Sequence, residues 1–180
     1  MRPFFLTSQR LGFSTWSQDD LPLALGLWGD PNVTRFTGGP LTAAQATERL
    51  SREIGNLERY NIQYWPVFLK ETGEHVGSCG LRPRNGSNDA YELGFHLRRE
   101  YWGRGFGREA AQAAILHSFT TLGARALYAG HHPLNDASRR LLQSLGFRYI
   151  HDEFYAPTQL MEPCYLLTPG EPGAPNHLRT

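Results

Sequence analysis

Glycine recurs at every second position in Gly103-Arg104-Gly105-Phe106-Gly107, just where one backbone periodicity gives way to another. Ahead of it, Ala90-Tyr91-Glu92-Leu93-Gly94-Phe95-His96-Leu97-Arg98 alternates as a strand does. Tyr91, Leu93, Phe95 and Leu97 share one face, with Glu92, His96 and Arg98 on the other. Behind it, Ala110, Ala111, Ala113, Ala114, Ile115, Leu116 and Phe119 read as a helix whose small residues let it lie close to a sheet. Glycine adopts backbone angles closed to other residues and lets a ligand approach the main chain. The first N–H groups of a helix have no partner within it and together attract phosphate. Arg98, Arg99, Arg104 and Arg108 add positive charge, so the stretch predicts pyrophosphate binding. A P-loop would need GxxxxGK[ST], which is absent. A dinucleotide fold would want GxGxxG after the first strand, whereas GxGxG stands here, late in the chain. The plainer alternative is a glycine turn with solvated arginines.

The remaining pattern supplies the architecture. Residues 10–16 alternate as a strand, and Ser17 or Asp19 caps a helix carrying Leu21, Leu23, Leu25 and Leu27. Thr42-Ala43-Ala44-Gln45 has the form of a capping box and opens a helix to about Tyr60, with Ala46, Leu50, Ile54 and Leu57 on one face. Residues 63–70 and 74–81 form a hairpin about Glu71-Thr72-Gly73, and the Asn85-Gly86-Ser87-Asn88-Asp89 turn leads to the strand already described. A buried strand over 125–130 precedes a helix over 135–145, with Gly146 as its C-terminal cap. Two last strands, 147–153 and 158–167, pair as a hairpin. The order βααβββαβαββ describes one α+β domain with a mixed sheet over 1–168. Pro169, Gly170, Pro172, Gly173 and Pro175 predict a flexible tail over 169–180.

With 18 basic and 17 acidic residues the net charge is only +1, which argues against broad attraction to nucleic acid or to a membrane surface. No apolar run approaches the ~20 residues of a membrane span, and the apolar start is too short for a secretory signal. Cys79 and Cys164 lack a CxxC spacing and read as free thiols in a reducing compartment, so a cytoplasmic protein is expected.

The stretch 102–107 resembles the coenzyme A pyrophosphate signature of the GNAT acetyltransferases, Q/R-x-x-G-x-G/A. Trp102 stands in place of the usual Gln or Arg, a departure shared with the subgroup resembling the ribosomal-protein alanine N-acetyltransferases RimJ and RimL. Asp30-Pro31-Asn32-Val33, Tyr91-Glu92-Leu93-Gly94-Phe95, Asn135-Asp136-Ala137-Ser138 and Leu145-Gly146-Phe147 are similar to further motifs of that subgroup, so the likeness runs from Leu11 to about Leu167. It implies the GNAT fold, a mixed and mostly antiparallel sheet flanked by helices. It also implies that the strand of Leu97 splays from that of Leu127 and admits the pantetheine arm of acetyl-CoA. By the same resemblance Phe95, Leu97, Trp102, Gly103, Arg104, Gly105, Phe106, Gly107, Arg108 and Asn135 bind that co-substrate. Asparagine also favours helix N-caps, a compatible role.

The chemistry implied is direct acetyl transfer to a primary amine in a ternary complex, with no metal. Glu92 takes the family position of the base, and general-base help is typically worth ~10²–10⁴-fold. Many members protonate the leaving thiolate with a tyrosine; Leu142 occupies that position here, and Ser138 matches the serine of RimL-like enzymes. The rival roles are a solvated strand glutamate and an ordinary first-turn serine. His131 and His132 read as loop residues whose spacing offers no metal site. Phe36 and Thr37-Gly38-Gly39-Pro40 lie where subgroup members wall the acceptor cleft. A protein N-terminus or a small-molecule amine are both open as acceptors, as is a longer acyl chain. The last hairpin offers a surface for a homodimer. A different class of function, a non-catalytic acyl-CoA sensor, would keep the fold and bind without turnover.

Overall fold

Parallel pairing between the fifth and sixth strands lasts for only three residues, and the site depends on that short contact. A computed structural model describes residues 2–84 and 89–170. Its elements are β1 (Leu6–Thr7), β2 (Leu11–Phe13), α1 (Leu21–Trp28), α2 (Ala43–Tyr60), β3 (Tyr64–Leu69), β4 (His75–Pro83), β5 (Ala90–Leu97), α3 (Phe106–Thr120), β6 (Ala126–Gly130), α4 (Asp136–Ser144), β7 (Arg148–Tyr155) and β8 (Leu160–Leu167). The order is the expected one with β1 added, a two-residue edge strand too short to register as a period. All but Asp89 of the turn expected over 85–89, and all but Pro169 and Gly170 of the expected tail, lie outside the described residues.

One eight-stranded sheet runs β1-β2-β3-β4-β5-β6-β8-β7. All neighbours are antiparallel except β5 and β6. β5 stays on β4 from Tyr91 to Leu97, while β6 follows β8 from Leu127 to Gly130. Between β5 and β6 the register runs from Ala90 opposite Ala126 to Glu92 opposite Tyr128 and ends there. Each strand keeps its outer partner, so the sheet opens into a wedge.

The helices seal the sheet through the faces their sequences present. Ala110, Ala111 and Ala114 of α3 are buried, and their small side chains bring the helix close to the strands. Thr42 caps α2 as expected: its hydroxyl accepts from Gln45 N–H, and Gln45 returns the bond to Thr42 N–H at 2.9 Å. Leu50 of α2 packs with Trp16, Ala24, Leu27 and Trp28, and Ala46 is buried on the same helix. Glu53 shares the α2 face and is completely buried, its carboxylate accepting from Tyr64 N–H at 2.9 Å and pairing with Arg82. α4 ends in a Schellman turn: Gly146 sits at φ 87°, and Phe147 N–H bonds to Leu142 C=O at 3.1 Å. Both cysteines are free and buried. The last hairpin, β7 and β8, exposes Tyr149, Phe154, Leu160 and Met161. No helix among the described residues is long and apolar enough to cross a membrane.

His75 is the clearest point of acid sensitivity. It is buried edge-on to Trp16 at 5.6 Å and beside Phe68, with neither ring nitrogen bonded. Burial, helped by the charge of Arg98, pushes its pKa down to about 4. The unfolded chain takes up this proton near pH 6.5, so stability is whole above that pH and falls as pH drops towards about 4. The expected loss is on the order of 3 kcal/mol. His75→Phe should flatten the dependence in urea titrations between pH 7 and pH 4.5; an unchanged slope would remove His75 as its source.

Candidate active site

The turn between β5 and α3 is built for backbone exposure. Gly103 lies at φ 71° and Gly105 at φ 81°, the left-handed region that side chains avoid. A Cβ on Gly103 would meet nothing, so its conformation rather than crowding requires glycine. Gly105 is the N-cap of α3 and provides no side-chain cap. The first helical bond runs from Glu109 N–H to Gly105 C=O, so the N–H groups of Phe106, Gly107 and Arg108 precede any acceptor in the helix. These donors open on a cavity of about 440 Å³ that also takes in Phe95, Leu97 and Leu141.

Most of the expected co-substrate residues line that cavity, each in a definable way. Phe106 is buried with its ring edge-on to Tyr101 at 5.9 Å, so it offers its backbone. Trp102 is half-exposed, and its indole N–H donates to Leu97 C=O at 2.8 Å. That bond uses one lone pair of the carbonyl and leaves the other. Arg108 lines the cavity, whereas Arg104 does not: its guanidinium lies over Phe106 at 5.2 Å and Tyr101 at 5.7 Å. Asn135 caps α4, its side-chain oxygen accepting from Ser138 N–H at 3.1 Å.

A second cavity of about 220 Å³ opens on the other side of the wedge. The two share Phe36, Thr37, Phe95, His96, Asn135 and Ser138 as walls, so they meet where the strands part. Glu92 lines only the second. Its carboxylate accepts from the Tyr64 hydroxyl at 3.3 Å and stands 3.6 Å from Arg84, which also pairs with Glu153. Tyr64 reaches Glu92 across Gly94, where a Cβ would overlap the phenol ring at 2.4 Å. The Ser138 hydroxyl has no hydrogen-bond partner among the described residues. His131, expected as a plain loop residue, is buried in the cavity wall; its ring nitrogens lie 2.9 Å from His132 C=O and 3.3 Å from the Tyr165 hydroxyl. Phe36 lies 5.0 Å from the His132 ring. His151, Glu153 and Cys164 bring potential metal-ligating atoms within 4.8 Å, but the Arg84 guanidinium touches both Glu153 and Cys164 and repels a cation there.

Arg10 and Glu109, passed over in the sequence, brace the turn. Glu109 accepts from Ser8 Oγ at 2.6 Å, Arg10 N–H at 2.6 Å and Arg10 Nε at 2.7 Å. Burial disfavours its charge, but these three bonds outweigh burial and hold its pKa below the ordinary glutamate value. Arg10 then donates to Arg104 C=O at 3.2 Å and lies over Phe106 at 4.1 Å.

Comparison with known proteins accounts for this arrangement. Residues 10–148 match the acetyltransferase (GNAT) domain, and the chain belongs to the GNAT acetyltransferase family. Enzymes of this family transfer the acetyl group of acetyl-CoA. The chain is 31% identical over 145 residues to the uncharacterized N-acetyltransferase p20 of Bacillus licheniformis, covering 79% of this chain and 82% of p20. A GNAT-family acetyltransferase from Bacillus anthracis shares the fold at a TM-score of 0.78 and 21% identity, over 92% of this chain and 98% of that one. RimL, a ribosomal L7/L12 α-N-protein acetyltransferase solved with coenzyme A, superposes at 0.74 and 16% identity, over 89% and 95%. The structural neighbours thus share the fold expected from the sequence.

Glu109→Ala removes the brace but no wall of either cavity. It should cost about 1–3 kcal/mol of unfolding free energy in urea. Unchanged stability would show that the N-terminal hairpin docks without it.

Proposed function

We propose that the protein transfers acetyl from acetyl-CoA to a primary amine by direct attack in a ternary complex. The observation that carries this reading is the junction of the two cavities at Asn135 and Ser138, between uncapped helix donors on one side and Glu92 on the other. The α3 N–H groups and Arg108 fit a pyrophosphate, whose charge the helix terminus favours. The parted strands leave a slot for the pantetheine arm, with Phe95 and Leu97 along it and a lone pair of Leu97 C=O free for an amide. This brings the thioester to the junction.

There the amine nitrogen attacks the thioester carbonyl carbon, forming the C–N bond. Glu92, held by Tyr64 and Arg84, takes the amine proton directly or through one water. Collapse of the adduct breaks the C–S bond, and the Ser138 hydroxyl donates a hydrogen bond to the departing thiolate. Since serine is a weak acid, solvent completes protonation of the thiol. The products are the N-acetyl amine and coenzyme A.

Calorimetric titration with acetyl-CoA and CoA release over a panel of amines test the reading; absence of binding would overturn it. Gly105→Val places a β-branched residue in the left-handed region and should weaken acetyl-CoA binding at least about tenfold. Glu92→Gln should lower kcat/KM by ~10²–10³-fold near neutral pH, with a smaller defect at alkaline pH where the amine is already neutral. A defect that is constant with pH would remove Glu92 as the base. Ser138→Ala should lower kcat while leaving acetyl-CoA affinity within about twofold.

A further inference from the structure

Three buried polar atoms without a hydrogen-bond partner belong to side chains lining the Glu92 cavity: Nε of Arg49, Nε of Arg82 and Nδ1 of His96. Those three atoms are enclosed by the protein and out of a ligand's reach, but the Nη groups of Arg49, which have no partner among the described residues either, are not so enclosed and offer donors to an acceptor atom in the cavity. Their charges are unequally balanced. Arg82 pairs with Glu53, and Arg84 lies against Glu92 and Glu153. Arg49 has no hydrogen bond and no ion pair among the described residues; its guanidinium only lies over the Trp28 ring at 4.3 Å. Glu53, one turn further along α2, is already held by Arg82 and by Tyr64 N–H. Glu162, the remaining acid on the cavity wall, accepts from Thr158 at 2.8 Å. Burial and the repulsion of Arg82 push the pKa of Arg49 down to about 10, which leaves it cationic at neutral pH. His96 is held well below the ordinary histidine range by burial and by Arg49 and Arg82, so it stays neutral. The Glu53 charge offsets part of the push on Arg49, but its carboxylate is bonded to Arg82, and a bound anion would relieve the cost of burial that remains.

We infer that the acetyl acceptor is a small amine that carries a carboxylate, seated on Arg49, Arg82 and His96 with its amine turned towards Glu92. The planar guanidinium fork matches a carboxylate, and neutral His96 adds a ring N–H. The cavity of about 220 Å³ suits an acceptor of amino-acid size. A polyamine would set a second cation against Arg49. The inference takes the position of the reacting amine from the acetyltransferase reading, but the carboxylate subsite stands on the cavity alone.

The test measures CoA release by the full chain with matched pairs: L-amino acids against their amides, γ-aminobutyrate against its amide, and spermidine. Carboxylate members should be preferred at least about tenfold in kcat/KM. Arg49→Met should raise KM for them by a similar factor and erase the preference, with the Kd for acetyl-CoA held within about twofold; Arg49→Lys should restore part of it. Melting temperatures of both variants separate misfolding from loss of the subsite, and the wild-type comparison is independent of either. Equal or better use of amides or spermidine, or a preference that survives in Arg49→Met, overturns the inference. If no amine is turned over at all, calorimetry of the same pairs still decides: Arg49-dependent binding of the carboxylates retains the subsite while the acetyltransferase reading falls. Equal binding of acid and amide, or none, overturns the subsite.

Discussion

The structure turns on where β5 stops bonding to β6. A sheet strand normally satisfies both of its edges, and exposed backbone polar groups inside a protein are costly. Here β5 keeps seven residues on β4 but only three on β6, and β6 keeps to β8. The open edge of β5 is therefore a row of main-chain groups awaiting partners. Trp102 meets one of them by folding back onto Leu97 C=O. The rest of the slot is walled by α4 through Asn135, Ser138 and Leu141 rather than filled by a strand. Both cavities exist because of this divergence, and their shared walls are the residues that occupy its apex.

A second constraint is Glu53, a completely buried carboxylate among arginines. It ties α2 to the sheet through Tyr64 N–H and Arg82, while Gln63 donates to its backbone C=O at 2.9 Å and accepts from Trp16 N–H at 2.8 Å. One carboxylate cannot neutralise two guanidinium groups. Committing it to Arg82 leaves Arg49 with an aromatic face and no direct ion pair among the described residues. The packing of α2 and the electrostatics of the cavity are thus consequences of the same side chain. Tyr64 extends the link: buried against Arg82 at 4.1 Å, it reaches Glu92, and burial followed by the Glu92 charge raises its pKa well above the usual phenol value. It therefore stays a donor and orients the carboxylate.

What the sequence disclosed follows from range. Capping at Thr42 and Asn135, the glycine turn and the alternation of β5 are local, and each stands where the residues placed it. β1 escaped because two residues carry no period. Arg49 and Glu53 escaped for a different reason: the reading of α2 followed its apolar positions alone. Their spacing from Ala46, Leu50 and Leu57 does put them on or beside the inward stripe, so a signal was present in the three- and four-residue steps. The brace from Glu109 to Ser8 and Arg10 spans about a hundred positions, and only tertiary pairing supplies it. The parting of β5 from β6 was legible through family resemblance alone, since neither strand's own sequence says where its neighbour leaves.

That long-range brace explains how a turn rich in glycine can hold a fixed shape. Glycine loses more backbone freedom on folding than any other residue, so Gly103 and Gly105 would by themselves leave the loop loose. An anion site gains from donors already aimed before the ligand arrives, because ordering them on binding subtracts from affinity. The first turn of α3 supplies Glu109, which fixes Arg10; Arg10 in turn holds the carbonyl of Arg104 between the two glycines and covers Phe106 just after them. Phe106 anchors the helix start in the core against Tyr101, at the other end of the turn. The backbone is thus clamped from both sides while its N–H groups stay free. Glycine provides the conformation and charged side chains outside the cavity provide the rigidity, so none of the fixing groups has to occupy the space the ligand needs.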